Sequence, residues 1–160
     1  MNSINHTCIV HPETLFLMAD GTFKTIEEIT EDDEIMTLDI ETTASLDYKP
    51  SKISNKTTKM SEKLYQVKGT NAPPIKLTNE QLILAEFTFD VPFSQPSDKI
   101  YKGSIVYSFC KERKIVALDV IKDFQSIENE MVYSFTCIKN TFVTSSFVIS
   151  NGEGKIFDTI

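Results

Sequence analysis

Histidine and cysteine are scarce in this chain of 160 residues, which has two of the first and three of the second. The cysteines, Cys8, Cys110 and Cys137, form an odd set at wide spacing with no CxxC pair. Only His6 and His11 could join them as nitrogen ligands, so the pattern speaks against a structural zinc site or a disulfide framework. No metal and no cofactor are expected, and thiols of this kind suit a reducing, intracellular setting. Positive charge is also short. Lys and Arg number 16 against 23 Asp and Glu, a net charge of −7, which repels a phosphate backbone. The lysines are scattered, as at Lys49, Lys52, Lys56, Lys59 and Lys63, with no arginine cluster among them. Nucleic-acid binding is therefore not expected. No apolar run approaches the roughly 20 residues that cross a bilayer. The stretch Met1 to Val10 does not join a basic flank to a long apolar segment as a secretory signal does. Asn5-His6-Thr7 and Asn55-Lys56-Thr57 match the glycosylation triplet, a pattern too frequent by chance to argue for secretion.

Hydrophobic residues make up 41% and charged residues 24%, ordinary proportions for one folded domain able to bury a core. The apolar pattern has a period of two, which predicts strands. Thr14–Met18 reads as a strand, Ala19-Asp20-Gly21-Thr22 as a tight hairpin turn and Phe23–Ile26 as the return strand. Glu27-Glu28-Ile29 predicts one helical turn, followed by the acidic loop Glu31–Glu34. Further strands are expected over Ile35–Ile40, Lys63–Val67, Ile75–Ala85, Ile105–Phe109, Lys114–Phe124, Met131–Ile138 and Thr141–Ile149. Pro92, Pro96 and Ser97 mark a loop, and no linker is long enough to divide two domains. No helical stripe exceeds about three turns. The expected fold class is all-β. Cys110 and Cys137 fall in strand patterns as core residues, and His11, before Pro12, reads as an exposed loop histidine.

Three separated patches carry a resemblance. The first runs from Cys8 through His11 and Thr14 to the Asp20-Gly21 turn, then Lys24-Thr25-Ile26-Glu27-Glu28-Ile29. The second is Leu77-Thr78-Asn79-Glu80-Gln81-Leu82-Ile83-Leu84, and the third runs from Met131-Val132-Tyr133-Ser134-Phe135-Thr136 to Ser146-Phe147-Val148-Ile149-Ser150-Asn151. In this order they resemble the Hint module shared by inteins, Hedgehog C-terminal processing domains and bacterial intein-like domains. The span from Cys8 to Asn151 is that of a module without a homing-endonuclease insert. The resemblance implies a flattened horseshoe with pseudo-twofold halves. It also implies three parts: a leading flank over 1–7, the module over 8–151 and a trailing flank over 152–160.

It further implies a chemistry that acts on the chain itself, as a monomer whose partners are its own flanks in cis. The Cys8 thiolate would attack the Thr7 carbonyl and turn the amide into a thioester, a step the fold must favour by straining that peptide or stabilising the oxyanion. Thr78 would hydrogen-bond near the same peptide. The family's histidine three residues later is here Gln81, which donates a hydrogen bond but delivers no proton. Asn151 would close a succinimide through its side-chain amide and cut the Asn151–Gly152 bond. The family's penultimate histidine is here Ser150; its upstream Asp and further His correspond to Ser134 and Asn140. Gly152 has no hydroxyl or thiol to accept an acyl group, so cleavage at one or both ends is expected in place of full splicing. Two other readings stand beside this one. A degenerate scaffold, kept as a structural or binding module, accords with the missing histidines. A thiol hydrolase acting on other molecules would need His6 or His11 as the base for Cys8.

Overall fold

A computed structural model of the chain describes residues 6–42, 45–60, 64–78, 81–86, 92–96, 102–137 and 141–151. These form fifteen strands and no helix, and all the pairings are antiparallel. In chain order they are β1 (His6–Val10), β2 (Leu15–Leu17), β3 (Phe23–Thr25), β4 (Ile35–Thr42), β5 (Ser45–Ser51), β6 (Ile53–Met60), β7 (Leu64–Gly69) and β8 (Ile75–Thr78). Then come β9 (Gln81–Glu86), β10 (Pro92–Pro96), β11 (Ile105–Cys110), β12 (Ile115–Ile127), β13 (Met131–Cys137), β14 (Thr141–Val143) and β15 (Val148–Asn151). One sheet has the order β1-β13-β6. A larger one runs β5-β4-β14-β15-β9-β11-β12-β7-β8 with β10 alongside β9, and β2-β3 is a separate hairpin.

The β2–β3 hairpin follows from its turn residues. Gly21 sits at φ +89°, where a Cβ would be strained, and the Asp20 carboxylate accepts from the Thr22 N–H at 3.0 Å and its hydroxyl at 2.6 Å. The expected helical turn is present as two hydrogen bonds to the Thr25 carbonyl, from the Glu28 and Ile29 amides. The Lys56 ammonium closes it by donating to the Ile26 and Ile29 carbonyls at 2.9 and 2.7 Å. Lys56 reaches them because β6 carries an extra residue opposite Ser134–Thr136, with Asn55 in the left-handed region at φ 57°.

The sheets curl into the expected all-β horseshoe with pseudo-twofold halves. Long strands bend at register shifts: β13 against β6, and β12 between Ile121 and Asp123, where it passes from its partner β11 to β7. Gly69, at that second bend, is required by close approach, since a Cβ there would run into the Asp119 carboxylate. That buried carboxylate accepts from the Ala72 and Val120 amides at 2.9 and 2.8 Å and so holds the loop after β7. The main core cluster includes Cys8, Phe16, Phe135, Cys137, Phe142, Phe147 and Ile149.

Several sequence expectations need correction. The loop expected around Pro92 and Pro96 is the strand β10, which lies off the main sheet path and, among the described residues, pairs with β9; prolines are tolerated in such outlying strands, and Ser97 lies outside the described residues. Strands β5 and β6 were not expected, because β6 buries little beyond Ile53 and shows no apolar alternation. The single strand expected over Thr141–Ile149 is two. Thr144 accepts from the Ser146 amide and donates to the Phe147 carbonyl, which turns the chain between β14 and β15. Strand β1 spans His6–Val10, so the Thr7–Cys8 peptide lies within the sheet.

Candidate active site

Cys8 is the central residue of β1, opposite Phe135 of β13. Alternation along β1 turns Thr7 outward, where it is exposed, and Cys8 inward, where it is fully buried. Cys137 stands opposite His6, two positions from Phe135 on the same face of β13. Burial pushes the Cys8 thiol far above the ordinary thiol range, and the neighbouring Cys137 sulfur adds to the shift. The sulfur is therefore held as the neutral thiol. None of the three cysteines is in a disulfide.

Strand β1 packs against β15, β8 and β9, the strands that carry the other expected site residues. Thr78 ends β8 and Gln81 begins β9. The Thr78 backbone N–H donates to the Gln81 side-chain carbonyl oxygen at 3.0 Å. This bond fixes which end of the carboxamide is oxygen and which is nitrogen. Gln81 is 0% exposed, and its Nε2 has no hydrogen-bond partner. An unmade buried donor costs about 1–3 kcal/mol, so its retention calls for a reason. Across the sheet, Gln81 is the register partner of Asn151, and Leu82 that of Ser150. Thr78, Gln81, Ser150 and Asn151 thus converge on one strand junction beside β1. Asn140 lies outside the described residues, and Ser134 is half-buried on β13 opposite Ile9.

Thr14, singled out on the first patch, is the other buried orphan among the described residues. Its hydroxyl has no partner and lines a cavity of about 120 Å³ with Glu13, Lys76, Ser145 and Ser146. That space admits several waters, which accounts for Thr14 without a ligand.

His11 is not the exposed loop residue expected. It is 2% exposed, its Nδ1 accepts from the Glu13 N–H at 3.1 Å and its Nε2 lies 2.9 Å from a Glu130 carboxylate oxygen. The acceptor role of Nδ1 places the proton on Nε2, which donates to Glu130. Lys76 completes the cluster, 3.2 Å from Glu130 and 3.7 Å from Glu13. The donor atoms of His11, Glu13 and Glu130 lie within 4.8 Å of one another, as a divalent cation would need. The Nε2 proton and the Lys76 ammonium already occupy that role, so the arrangement is a hydrogen-bonded and ion-paired brace that ties the end of β1 and the start of β13 to β8. Its partner Glu130 is 119 residues away in sequence, and no local signal announces it. The hydrogen bond from His11, then that from Lys76, holds the Glu130 carboxyl below the usual carboxylate range. Glu130→Ala is expected to cost about 1–3 kcal/mol by orphaning the buried His11 N–H, read as a lower urea midpoint at unchanged slope. Because the folded-state value is depressed, this contribution is present above the ordinary carboxylate value and fades as pH falls through the folded one. The deficit of the variant should therefore shrink in acid.

No protein-family model and no curated protein matches the sequence. Solved structures match over nearly the whole length. An Ssp DnaB mini-intein variant superposes with a TM-score of 0.72 at 18% identity, covering 89% of this chain and 90% of that one. The bacterial intein-like domain from Clostridium thermocellum gives 0.68 at 17% identity, with 90% and 98% covered. The TvoVMA intein gives 0.68 at 12%, again with 90% and 98% covered. The chain has the Hint fold of inteins in a minimal form.

Proposed function

We propose that this Hint-fold domain is an intein-like autoprocessing module, with residues 8–151 as the module and its own flanks as the substrate in cis. Cys8 attacks the Thr7 carbonyl carbon, its proton passes to the departing amide nitrogen, and the Thr7–Cys8 peptide becomes a thioester. Water or a small thiol then releases the upstream segment. Asn151 closes a succinimide and cuts the bond to Gly152 as the slower step. The observation that carries this reading is the junction of Thr78, Gln81 and Asn151, built by one hydrogen bond and one register pair, against the strand that bears Cys8. Residues from both ends of the chain meet there, as an activity at both ends requires.

The inert scaffold is favoured by one specific observation, the full burial of Cys8 beside Cys137, which pushes its thiol far above the ordinary range and disfavours the thiolate. A hydrolase acting on other molecules loses one of its two candidate bases, since both ring nitrogens of His11 are engaged elsewhere. The test is a fusion with one reporter ahead of Met1 and another after Ile160, incubated with dithiothreitol and followed by intact mass. Release of the upstream reporter, abolished by Cys8→Ala, is the expected result. An unchanged mass over days in a well-folded chain would establish the scaffold reading.

A further inference from the structure

The side-chain amide nitrogen of Gln81 is buried without a hydrogen-bond partner. The resemblance assigns this position to the peptide ahead of Cys8, yet the sheet register sets Gln81 opposite Asn151 at the other end of the module. Facing residues on an antiparallel pair hold their Cβ atoms about 4.5–5.5 Å apart, well within the reach of a glutamine carboxamide. Its oxygen is already pinned by the Thr78 N–H, so rotating the group would break that bond. The amide nitrogen is thus presented in one orientation, fully buried and without an acceptor. A preorganised donor of this kind strengthens as charge develops on an oxygen beside it and needs no reorganisation when that happens.

We propose that the side-chain amide of Gln81 donates the hydrogen bond that stabilises the carbonyl oxygen of Asn151 during cleavage at Asn151–Gly152. The proposal rests on the autoprocessing reading above and assigns Gln81 to its second step. The Asn151 side-chain nitrogen bonds to its own carbonyl carbon, negative charge gathers on the carbonyl oxygen and Gln81 holds it. The bond to Gly152 then breaks, the proton lost by the attacking nitrogen goes to the new Gly152 amine, and a succinimide ends the module. Gln81 supplies no proton at any point, which is why glutamine suffices at this position.

The double-reporter fusion tests this with Gln81→Met, which keeps length and removes the donor. Thermal unfolding checks that the variant folds. Downstream release should slow about a hundredfold, the usual effect of losing one oxyanion donor, and by clearly more than upstream release does. Gln81→Glu adds a readout that a merely structural role would not move. Its acid form can donate and its carboxylate cannot, so downstream release should become pH-dependent, retained in acid and lost in base. Ordinary deamidation at Asn151-Gly152 leaves the chain intact and is separated by mass. Downstream release unaffected by Gln81→Met, or upstream release suffering the larger loss, would overturn the proposal and leave the autoprocessing reading standing. If the unsubstituted chain releases neither reporter, both fall together.

Discussion

Between about pH 7 and pH 10, thiol-induced release of a reporter ahead of Met1 should quicken about tenfold per pH unit and reach no plateau. An ordinary cysteine near 8.5 would saturate within that range. Cys8 would not, because burial, reinforced by Cys137, holds its thiol far above it, and the reactive thiolate remains a small, growing fraction throughout. The assay uses thiol at a concentration where the rate no longer depends on it, so that the acyl shift is the step observed. A plateau near pH 9 would mean that the sulfur is solvated in the reacting conformation. The same shift has a thermodynamic counterpart. A thiol whose folded value lies above its unfolded value stabilises the fold fully below the unfolded value. That contribution is lost as pH rises beyond it, by about 1.4 kcal/mol per unit. Cys8→Ala removes this slope together with the reaction. Stability against pH should therefore fall less steeply in the variant above about pH 9, the lysines titrating alike in both.

Burial of Cys8 in the folded chain makes the proposed first step slow. It also makes the surroundings of Cys8 decide the rate, and those surroundings were only partly legible in the sequence. The β2–β3 hairpin was readable because its determinants are local, with Asp20 and Gly21 in the turn and alternation on both sides. Strands β4, β11 and β13 were readable because each is rich in β-branched and aromatic residues that reach the core. Strand β6 was not, since it is held by pairing with β13 some 80 residues away and hides almost nothing but Ile53. Strand β10 was masked by prolines that an outlying strand tolerates. Of the site, Thr78, Gln81 and Asn151 were nameable from short patches, but neither the bond pinning the Gln81 oxygen nor its pairing with Asn151 was. Register is a product of the whole sheet, and a one-residue slip would have faced Gln81 with another partner. The His11–Glu130 brace escaped for the same reason, its two halves being distant in the chain and adjacent only once β1 has paired with β13.

Phe142→Ala should have the largest effect on stability, about 3–5 kcal/mol, a sizeable part of the 5–15 kcal/mol that a domain possesses. Phe142 is fully buried and meets Phe16 and Phe135 edge-on, with ring centroids 5.8 and 5.6 Å away; Phe16 and Phe135 meet each other at 6.1 Å. Each ring presents its edge to a neighbour's face, the arrangement aromatic quadrupoles favour beyond the area they bury. Truncation removes two of the three contacts and leaves a cavity that strands pinned by ladder bonds cannot collapse to fill. The triangle also joins the two halves of the proposed site. Phe135 is the register partner of Cys8, and Phe142 pairs with Ile149, two residues before Asn151. The unfolding midpoint should drop sharply, whereas Val120→Ala, on a half-exposed face of β12, should stay within about 0.5 kcal/mol. At a temperature where the Phe142→Ala chain is still folded, release at both ends should slow together, since the cavity lies beneath both strands. Loss at one end alone would show that the two halves of the site are positioned independently and that the aromatic triangle supports only the fold.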